Sequence, residues 1–281
     1  MKNLEYYNGK TGLIEQICIP MTDRAFYFGD GVYDAVMCRN NIPYLLNEHI
    51  DRFYKNCKTL SIHIPMPKNE LYELIYSLVK EVDAEEKFVY FHVSRGSGIR
   101  SHTFDGEKGN LCITVIPQTI GDISVKMKTA LMKDIRYKLC NIKTLNLLPS
   151  VLAAQYAKEL GCDETIFYRN DFVTEGSHCN VSIIKDDKLI TAPADCYILP
   201  GVARAHLIDE AKKAGIDVEE RRYGLTELFS ADEIIITSSS KIARGVESID
   251  GKKVGEKNPK LLSYLQDRLY DDYINATSVN S

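Results

Sequence analysis

The chain has 281 residues, of which 44% are hydrophobic and 26% are charged, and its net charge at pH 7 is −4. This length and composition are typical of a globular protein with one large or two medium domains, and the weak acidity argues against nucleic acid or an anionic membrane as the main partner. The sequence shows no apolar run of membrane-spanning length and no signal-peptide core near its start, so we expect a cytoplasmic protein.

The order of predicted helices and strands indicates an α+β fold. From the N-terminus onward, apolar periodicity and end signals predict helices after Asn47 and Asn69, strands over 87–95, 111–117 and 125–132, a helix over 149–160, strands over 164–170, 172–175, 180–185 and 188–192, a helix after Pro200-Gly201, a strand over 233–239 and a helix opened by Asn258-Pro259. Turn signals between several strands favour mostly antiparallel pairing. A break at 116–122 predicts a smaller N-terminal α/β domain over 1–118 and a larger domain over 122–281.

The sequence lacks the motifs of metal, nucleotide and redox sites. None of the eight cysteines forms a CxxC pair, which argues against a zinc ribbon and favours reduced thiols. The string SSSK over 238–241 matches the SxxK motif of serine acyl-transferases. It closes a predicted strand instead of opening a helix, and the accompanying motifs occur in the wrong order. We therefore expect neither a metal site nor a nucleophilic serine.

Lys143 is the charged residue with the most informative surroundings. It lies in the apolar string IKTLNLLPSVLA, and a lysine is almost never fully buried without a partner. Taken alone, such a lysine is more often a strand-end residue whose amine reaches solvent, and Glu175 and Arg52 have equally ordinary interpretations as surface residues. The other interpretation is a Schiff base with a carbonyl cofactor, which also requires an anion at the ring nitrogen and donors for a phosphate.

Four strings taken together favour the cofactor interpretation. FGDGVYD at 28–34, NEHIDRFY around Arg52, IKTLNLLPSVLA around Lys143 and FVTEGSHCNV around Glu175 resemble, in order and spacing, the fold-type-IV (class IV) aminotransferases over about 28–251. Within that family the sequence is most similar to the D-amino-acid aminotransferases. The resemblance implies a two-domain α+β fold, pyridoxal 5′-phosphate in the interdomain cleft, and a homodimer.

The resemblance also assigns a role to each matched residue. Lys143 would form the Schiff base and carry the proton during transfer, Glu175 would pair with the pyridine N–H, and Arg52 would hold the phosphate. The remaining positions that match cofactor contacts are Leu199 against the ring, Gly201, Val202 and Ala203 at a helix start, and the hydroxyl donors Thr237, Ser238 and Ser239.

Arg100 and His102, in VSRGSGIRSH, match a pair that captures the substrate α-carboxylate in D-amino-acid aminotransferases, together with a tyrosine matched by Tyr33. The planar guanidinium fork suits a carboxylate. Without the resemblance, the same string would be interpreted as an exposed basic loop. Branched-chain aminotransferases and aminodeoxychorismate lyase are expected to lack this pair, so it is the best discriminator within the family.

Three departures from the family pattern concern residues near the expected site. Where close relatives often have EGSSSN, this chain has EGSHCN, which places His178 and Cys179 where serines are common. A threonine expected near the helix start is Ala203, and the loss of its hydroxyl would cost about 1 kcal/mol of phosphate binding. His178 is expected to alter substrate choice or pH dependence.

The predicted function is pyridoxal-phosphate-dependent transamination of a D-amino acid with a 2-oxo acid, of the D-alanine/2-oxoglutarate type. The alternatives are a branched-chain L-amino-acid aminotransferase, an aminodeoxychorismate lyase on the same cofactor, and a non-catalytic protein that keeps the fold. The expected partners are the amino acid and 2-oxo acid substrates and a second copy of the chain, with no nucleic acid, membrane or metal.

Overall fold

The computed structural model describes residues 1–106 and 108–279. Two compact units divide the chain: unit 1 comprises Met1–Thr119, Ile142–Asn146 and the residues from Ile274 onward, and unit 2 comprises Ile120–Asn141 and Leu147–Tyr273. The first division, after Thr119, falls within the break at 116–122. The predicted larger domain of 122–281 includes Lys143, whereas the structure assigns Lys143 to unit 1, because its segment pairs with a strand of that unit.

Unit 1 is built on an antiparallel sheet. Its strands are β1 (Leu4–Tyr7), β2 (Lys10–Gly12), β3 (Gly31–Arg39), β4 (Ile42–Pro43), β5 (Glu86–Ser94) and β6 (Asn110–Pro117), in the order β2-β1-β6-β5-β3-β4. Its helices are α1 (Arg24–Phe28), α2 (Leu46–Thr59) and α3 (Lys68–Lys80), with a 3-10 turn over Ile14–Gln16. Val89, Phe91 and Val93 of β5 are fully buried in a core shared with α2 and α3. Tyr90 and His92 therefore lie on the opposite face of the sheet.

Unit 2 contains a mixed sheet. Its strands are β7 (Met127–Lys133), β8 (Glu164–Arg169), β9 (Phe172–Gly176), β10 (Asn180–Lys185), β11 (Lys188–Thr191), β12 (Val218–Glu220), β13 (Glu233–Ser238), β14 (Ile242–Ile249) and β15 (Lys252–Lys253). The strand order is β12-β11-β10-β13-β14-β7-β8-β9, with β15 on β14. The helices are α4 (Leu148–Glu159), α5 (Val202–Lys213), α6 (Leu225–Ser230) and α7 (Pro259–Ala276). Pairing is parallel where β7 meets β8 and β14 and where β11 meets β12, and antiparallel elsewhere in this sheet.

Each helix and strand predicted from the sequence has a counterpart in the structure within a few residues. The elements that the sequence did not predict are the helices α1 and α6 and the strands β1, β2, β3, β4, β12, β14 and β15. In β3 nearly every residue is buried, on both faces, so its sequence GVYDAVMCR lacks the alternation that marks a half-exposed strand. The predicted helix starts at Asn47 and Asn69 are also wrong as caps. Helix α2 begins at Leu46, and its N-cap residue Leu45 has a left-handed φ of 54°; α3 begins at Lys68 after the N-cap residue Pro67. In the described part of the chain, no helix has both the length and the apolarity needed to cross a membrane.

Candidate active site

Lys143 lies on a short extended segment that pairs with the start of β3. Its carbonyl accepts a hydrogen bond from Tyr33 N at 2.9 Å, and Thr144 forms a β-bridge with Val32. The Lys143 ammonium nitrogen lies 4.3 Å from the centre of the Tyr33 ring, which is a cation–π distance. The structure thus joins two residues that the sequence predicts to act on the substrate.

Gly31 allows this segment to approach β3 closely. Leu145 N donates to Gly31 O at 3.0 Å, and a Cβ atom at residue 31 would lie 2.7 Å from Leu145 Cδ1 and 2.6 Å from Val93 O. Both distances are shorter than a normal van der Waals contact, so a larger residue would displace the segment that carries Lys143. This close approach explains the second glycine of the string FGDGVYD.

Arg52 is held by a buried carboxylate of β3. Its side chain is only 9% exposed, and it donates from Nε to Asp34 Oδ2 at 2.9 Å and from Nη2 to Asp34 Oδ1 at 2.7 Å. His49, three residues earlier on α2, places Nδ1 2.7 Å from Asp34 Oδ1. The arrangement fixes the direction of the Arg52 guanidinium, which the sequence predicts to hold a phosphate.

The charges in this cluster follow from burial and from its ion pairs. Burial alone would raise the pKa of Asp34, but Arg52 and His49 hold it well below its usual range. Burial lowers the pKa of His49, against the opposing effect of Asp34, and the positive charges of Arg52 and Lys143 lower it further. At neutral pH the cluster therefore contains an ionised aspartate, a charged arginine and a neutral histidine that donates from Nδ1.

Glu175, at the end of β9, is buried and fully engaged on both oxygens. Arg136 Nη1 donates to Oε1 at 2.5 Å, and Asn180 Nδ2 and Leu199 N donate to Oε2 at 3.0 and 2.9 Å. Three separate segments of unit 2 thus fix the position and orientation of this carboxylate. A carboxylate oriented in this way can accept a hydrogen bond from the N–H of a cationic nitrogen ring.

Arg136 is itself positioned by a second carboxylate. It donates to both oxygens of Asp134 at 3.0 Å, and its guanidinium lies 4.6 Å from the centre of the Phe167 ring. Burial would lower the pKa of Arg136, but Glu175 and Asp134 raise it above its usual value. The arginine therefore stays charged and orients Glu175.

An arrangement suited to a phosphate lies in unit 2 at the start of α5 and the end of β13. The N-cap residue Gly201 gives α5 no side-chain cap, so the amides of its first turn are open to an anion. Thr237 Oγ1 and Ser238 Oγ are buried and have no hydrogen-bond partner among the described residues. Buried hydroxyls are rarely left unpaired, and this group of donors therefore fits a bound phosphate.

The other predicted cofactor contacts, Leu199, Val202, Ala203 and Ser239, also belong to unit 2 and lie before or at the start of α5 or directly after β13. Leu199 donates its amide to Glu175, and Val202 and Ala203 are the first two residues of α5. Ser239 follows the last residue of β13 and is half-buried. A Cβ atom at residue 201 would collide with Asn180 Oδ1, so a larger residue there would have to displace the Asn180 amide that bonds Glu175.

Arg100 and His102 meet on one aromatic ring of unit 1. The Arg100 guanidinium lies 5.1 Å from the centre of the Phe28 ring, and the His102 ring lies 5.2 Å from it. Both side chains belong to exposed residues. In the part of the chain that the structure describes, no contact joins either residue to Tyr33 or Lys143, so a common carboxylate site for Tyr33, Arg100 and His102 stays a prediction.

The two departures after Glu175 have different surroundings. Cys179 is buried, and its thiol lies 3.4 Å from Glu164 Oε2; burial raises the pKa of the thiol well above its usual value, and Glu164 adds to this effect. His178 is exposed and contacts Lys241 at 2.6 Å. No group of three or more His, Cys, Asp or Glu side chains within the described ranges could hold a metal ion.

Comparison with known proteins identifies the family. A sequence model described as "Amino-transferase class IV" matches residues 31–249, which is more than half of the chain. The chain belongs to the class IV aminotransferase family. Among curated class IV relatives, the D-alanine aminotransferase of Listeria monocytogenes serotype 1/2a (strain 10403S) is 39% identical over 254 residues, covering 87% of this chain and 88% of the relative.

Solved structures confirm the predicted class IV fold. The branched-chain amino acid aminotransferase of Escherichia coli superposes with a TM-score of 0.88 at 22% identity, covering 99% of this chain and 97% of that chain. A branched-chain amino acid aminotransferase from T.th., complexed with N-(5′-phosphopyridoxyl)-L-glutamate, gives 0.86 at 20% identity, with 97% and 96% covered. These structures confirm the predicted α+β fold, and the matches in sequence confirm the predicted family.

Asp34, His49, Arg136 and Asn180 orient the predicted site residues but were not themselves predicted from the sequence. Asp34 lies in FGDGVYD and His49 lies in NEHIDRFY, three residues before Arg52. The contacts of Asp34 with Arg52 and with His49 form only when β3 and α2 pack together. Asn180 ends the string EGSHCN and bonds Glu175. Arg136 is a single arginine between β7 and Lys143, and the sequence contains no signal that distinguishes it.

Proposed function

We propose that this class IV aminotransferase uses pyridoxal 5′-phosphate to transfer the amino group of a D-amino acid to a 2-oxo acid. We also propose that it acts as a cytoplasmic homodimer. The observation that carries the proposal is the fixed anion Glu175, located in unit 2 with unpaired hydroxyls and an uncapped helix start that fit a phosphate.

Pyridoxal phosphate, when bound, supplies a cationic ring that withdraws electrons from the α carbon of the substrate. Glu175 would keep the proton on the ring nitrogen, because an ionised carboxylate favours the charged partner. In unit 2, Ser238, Thr237 and the first amides of α5 would bind the phosphate oxygens. In unit 1, Asp34 orients the Arg52 guanidinium, the cation that we assign to the phosphate.

Lys143 would attach the cofactor through its amine and then move a proton to and from the α carbon. Its backbone bonds to β3 hold the amine at one position beside the Tyr33 ring, and a fixed position favours proton transfer over a short distance. Arg100 and His102 would bind the α-carboxylate, which orients the α hydrogen of the substrate.

The choice of D-amino acids rests on the sequence comparison. The curated relative at 39% identity is named as a D-alanine aminotransferase, whereas the branched-chain enzymes that share the fold are only 20–22% identical. The pair Arg100 and His102, which we expect only in the D-specific branch, supports the same choice.

The test is the visible spectrum of the protein reconstituted with pyridoxal 5′-phosphate, recorded before and after D-alanine and, separately, L-leucine. D-alanine should bleach the yellow band, and pyruvate should accumulate when 2-oxoglutarate is added. Lys143→Ala should abolish pyruvate formation while the exposed-lysine control Lys158→Ala keeps it. Bleaching by L-leucine alone would assign the chain to the branched-chain enzymes. Release of many equivalents of pyruvate from aminodeoxychorismate without an acceptor would indicate a lyase, because transamination without an acceptor stops after one equivalent per cofactor.

A further inference from the structure

A lysine–histidine pair joins two segments of unit 2. His178 lies on the segment that follows Glu175, and Lys241 lies on the turn that follows Ser238. β10 begins at Asn180 and β13 ends at Ser238, and the register pairs Asn180 with Thr237. The loop before β10 and the turn after β13 therefore lie side by side. His178 is three residues after Glu175, and a three-residue span reaches at most about 11 Å.

The contact between the two segments fixes the tautomer of the histidine. Lys241 Nζ lies 2.6 Å from His178 Nε2. An ammonium can only donate, so Nε2 accepts and the imidazole proton is on Nδ1. Nδ1 lies 2.8 Å from Ser177 Oγ and 3.2 Å from Glu164 Oε2, and both oxygens can accept that proton.

Glu164 does not use the hydrogen-bonding capacity of Lys241. Oε1 of its fully buried carboxylate accepts bonds from Thr165 N at 2.8 Å and from Ser177 N and Oγ at 3.1 and 2.5 Å. Oε2, the oxygen that forms an ion pair with Lys241, is also contacted by His178 Nδ1 at 3.2 Å and by the Cys179 thiol at 3.4 Å. The Lys241 ammonium is 3.6 Å from Glu164 Oε2, beyond a normal hydrogen bond. Of its three N–H donors, one has a partner among the described residues, and the His178 side chain beside it is 51% exposed.

The turn that carries Lys241 is held in a strained conformation. Ile242 has a left-handed φ of 55°, which is unfavourable for a β-branched residue. Lys241 N donates to Ser238 O at 3.2 Å and closes the turn. Strain of this kind persists where the surrounding structure determines the conformation. The position of Lys241 is therefore defined by its backbone as well as by His178.

We propose that Lys241, oriented by His178, binds the second carboxylate of a dicarboxylic substrate, such as 2-oxoglutarate or D-glutamate. The proposal rests on the proposed function, because it places this substrate at the residues that follow Glu175 and Ser238. A charge-assisted hydrogen bond from an ammonium suits a carboxylate. A monocarboxylic acceptor such as pyruvate has no group for this site, so the pair would set the choice of acceptor.

The test compares Lys241→Gln with a matched control, Lys126→Gln. Lys126 also pairs with a fully buried glutamate of the same sheet, Glu233, at 3.3 Å, and its side chain is 22% exposed against 18% for Lys241. Lys241→Gln should raise the KM for 2-oxoglutarate about tenfold and leave the KM for pyruvate unchanged. Lys241→Arg should restore most of the difference, and Lys126→Gln should change neither value.

Binding of non-reactive acids gives a readout that does not depend on turnover. Calorimetry with glutarate and pentanoate, which have equal chain lengths, should show weaker glutarate binding in Lys241→Gln and unchanged pentanoate binding. Equal effects on both acids, or the same shift in Lys126→Gln, would overturn the proposal. Absence of amine transfer to either 2-oxo acid would contradict the proposed function alone, since the glutarate difference is measured independently.

Discussion

Two buried carboxylates, Asp34 in unit 1 and Glu175 in unit 2, are each paired with an arginine, but they serve opposite purposes. Asp34 binds Arg52 through both oxygens and receives His49 from the same helix. Glu175 receives Arg136 on one oxygen and two neutral donors from other segments on the second. In the first pair the carboxylate orients the arginine, and in the second the arginine orients the carboxylate.

The difference shows how one kind of ion pair can present either charge to a ligand. A buried ion pair is weak evidence for stability, because desolvation offsets its attraction. Its effect here is geometric: Asp34 directs a cation that we assign to a phosphate, and Arg136 directs an anion that we assign to a ring nitrogen. Substitutions at the two carboxylates should therefore change different properties.

The largest expected effect is on turnover, from Glu175→Gln. The amide keeps the size of the side chain but removes the charge that would hold the ring proton, so kcat should fall about 10³-fold while the protein still binds pyridoxal phosphate. Steady-state kinetics and the visible spectrum measure both quantities. Wild-type kcat in this variant would show that Glu175 has only a structural role.

The next effect is on stability, from Asp34→Asn. The variant leaves the Arg52 guanidinium buried without its counter-charge, which should lower the free energy of unfolding by about 3 kcal/mol and weaken cofactor binding. Denaturant unfolding with and without pyridoxal phosphate measures this loss. An exposed ion pair, Lys2 with Glu15, supplies the control Glu15→Gln, which should unfold at nearly the same denaturant concentration as the wild type because solvent screens exposed pairs. A similar loss in the two variants would contradict the proposed role of Asp34.

A third effect concerns pH, because unit 1 holds neutral histidines, including the partner of Asp34. Burial lowers the pKa of His92 to about 4 and also lowers the pKa of His49. Below pH 6.5 these histidines bind protons in the unfolded chain but stay neutral in the folded chain, so the free energy of unfolding falls as the pH falls. His92 alone should account for about 2 kcal/mol between pH 7 and pH 5.

Urea unfolding at pH 7, 6 and 5 checks this expectation. His92→Gln should remove about 2 kcal/mol of the pH dependence, and the part due to His49 should remain. The exposed residue His102 gives the control His102→Gln, which should leave the slope unchanged. An unaltered slope in His92→Gln would show that His92 is not the group that resists protonation.

The smallest expected effect is a gain in cofactor affinity in unit 2. Ala203→Thr restores a hydroxyl at the start of α5 and should tighten binding of pyridoxal phosphate by about 1 kcal/mol, measured by spectral titration. The amide of Ala205 already donates to Gly201 O, so Ala205→Thr is expected to have no effect. Equal changes in both variants would indicate a general effect on the helix.

The sequence was sufficient to predict the elements with clear periodicity, whereas the roles of the residues proposed to act on the cofactor stay predictions. Strand β5 was predicted because the run KFVYFHVSR is rich in β-branched and aromatic residues, and the structure shows Val89, Phe91 and Val93 buried on one face. Strand β3 was not, because it is buried on both faces. The family resemblance supplied Lys143, Glu175 and Arg52, but not the residues that orient them.

Those orienting contacts depend on long-range packing. Arg136 and Glu175 are 39 residues apart, and no local pattern brings them together. The assignment of Lys143 to unit 1 could not be predicted for the same reason, since it depends on pairing with β3 across more than a hundred residues of chain. Sequence strings identify which residues occur, and tertiary structure determines which of them are in contact.

The pairing of the Lys143 segment with β3 has a consequence for exchanging parts between relatives. A chimaera cut after Thr119 would combine a foreign β3 with the native five residues Ile142–Asn146, and the close approach at Gly31 would have to suit both parents. The residues after α7 are likewise joined to the first stretch of unit 1, because Asn40 Nδ2 donates a hydrogen bond to Thr277 O at 3.0 Å. Recombination should therefore exchange unit 1 as three stretches of chain, and single-crossover hybrids should be selected against.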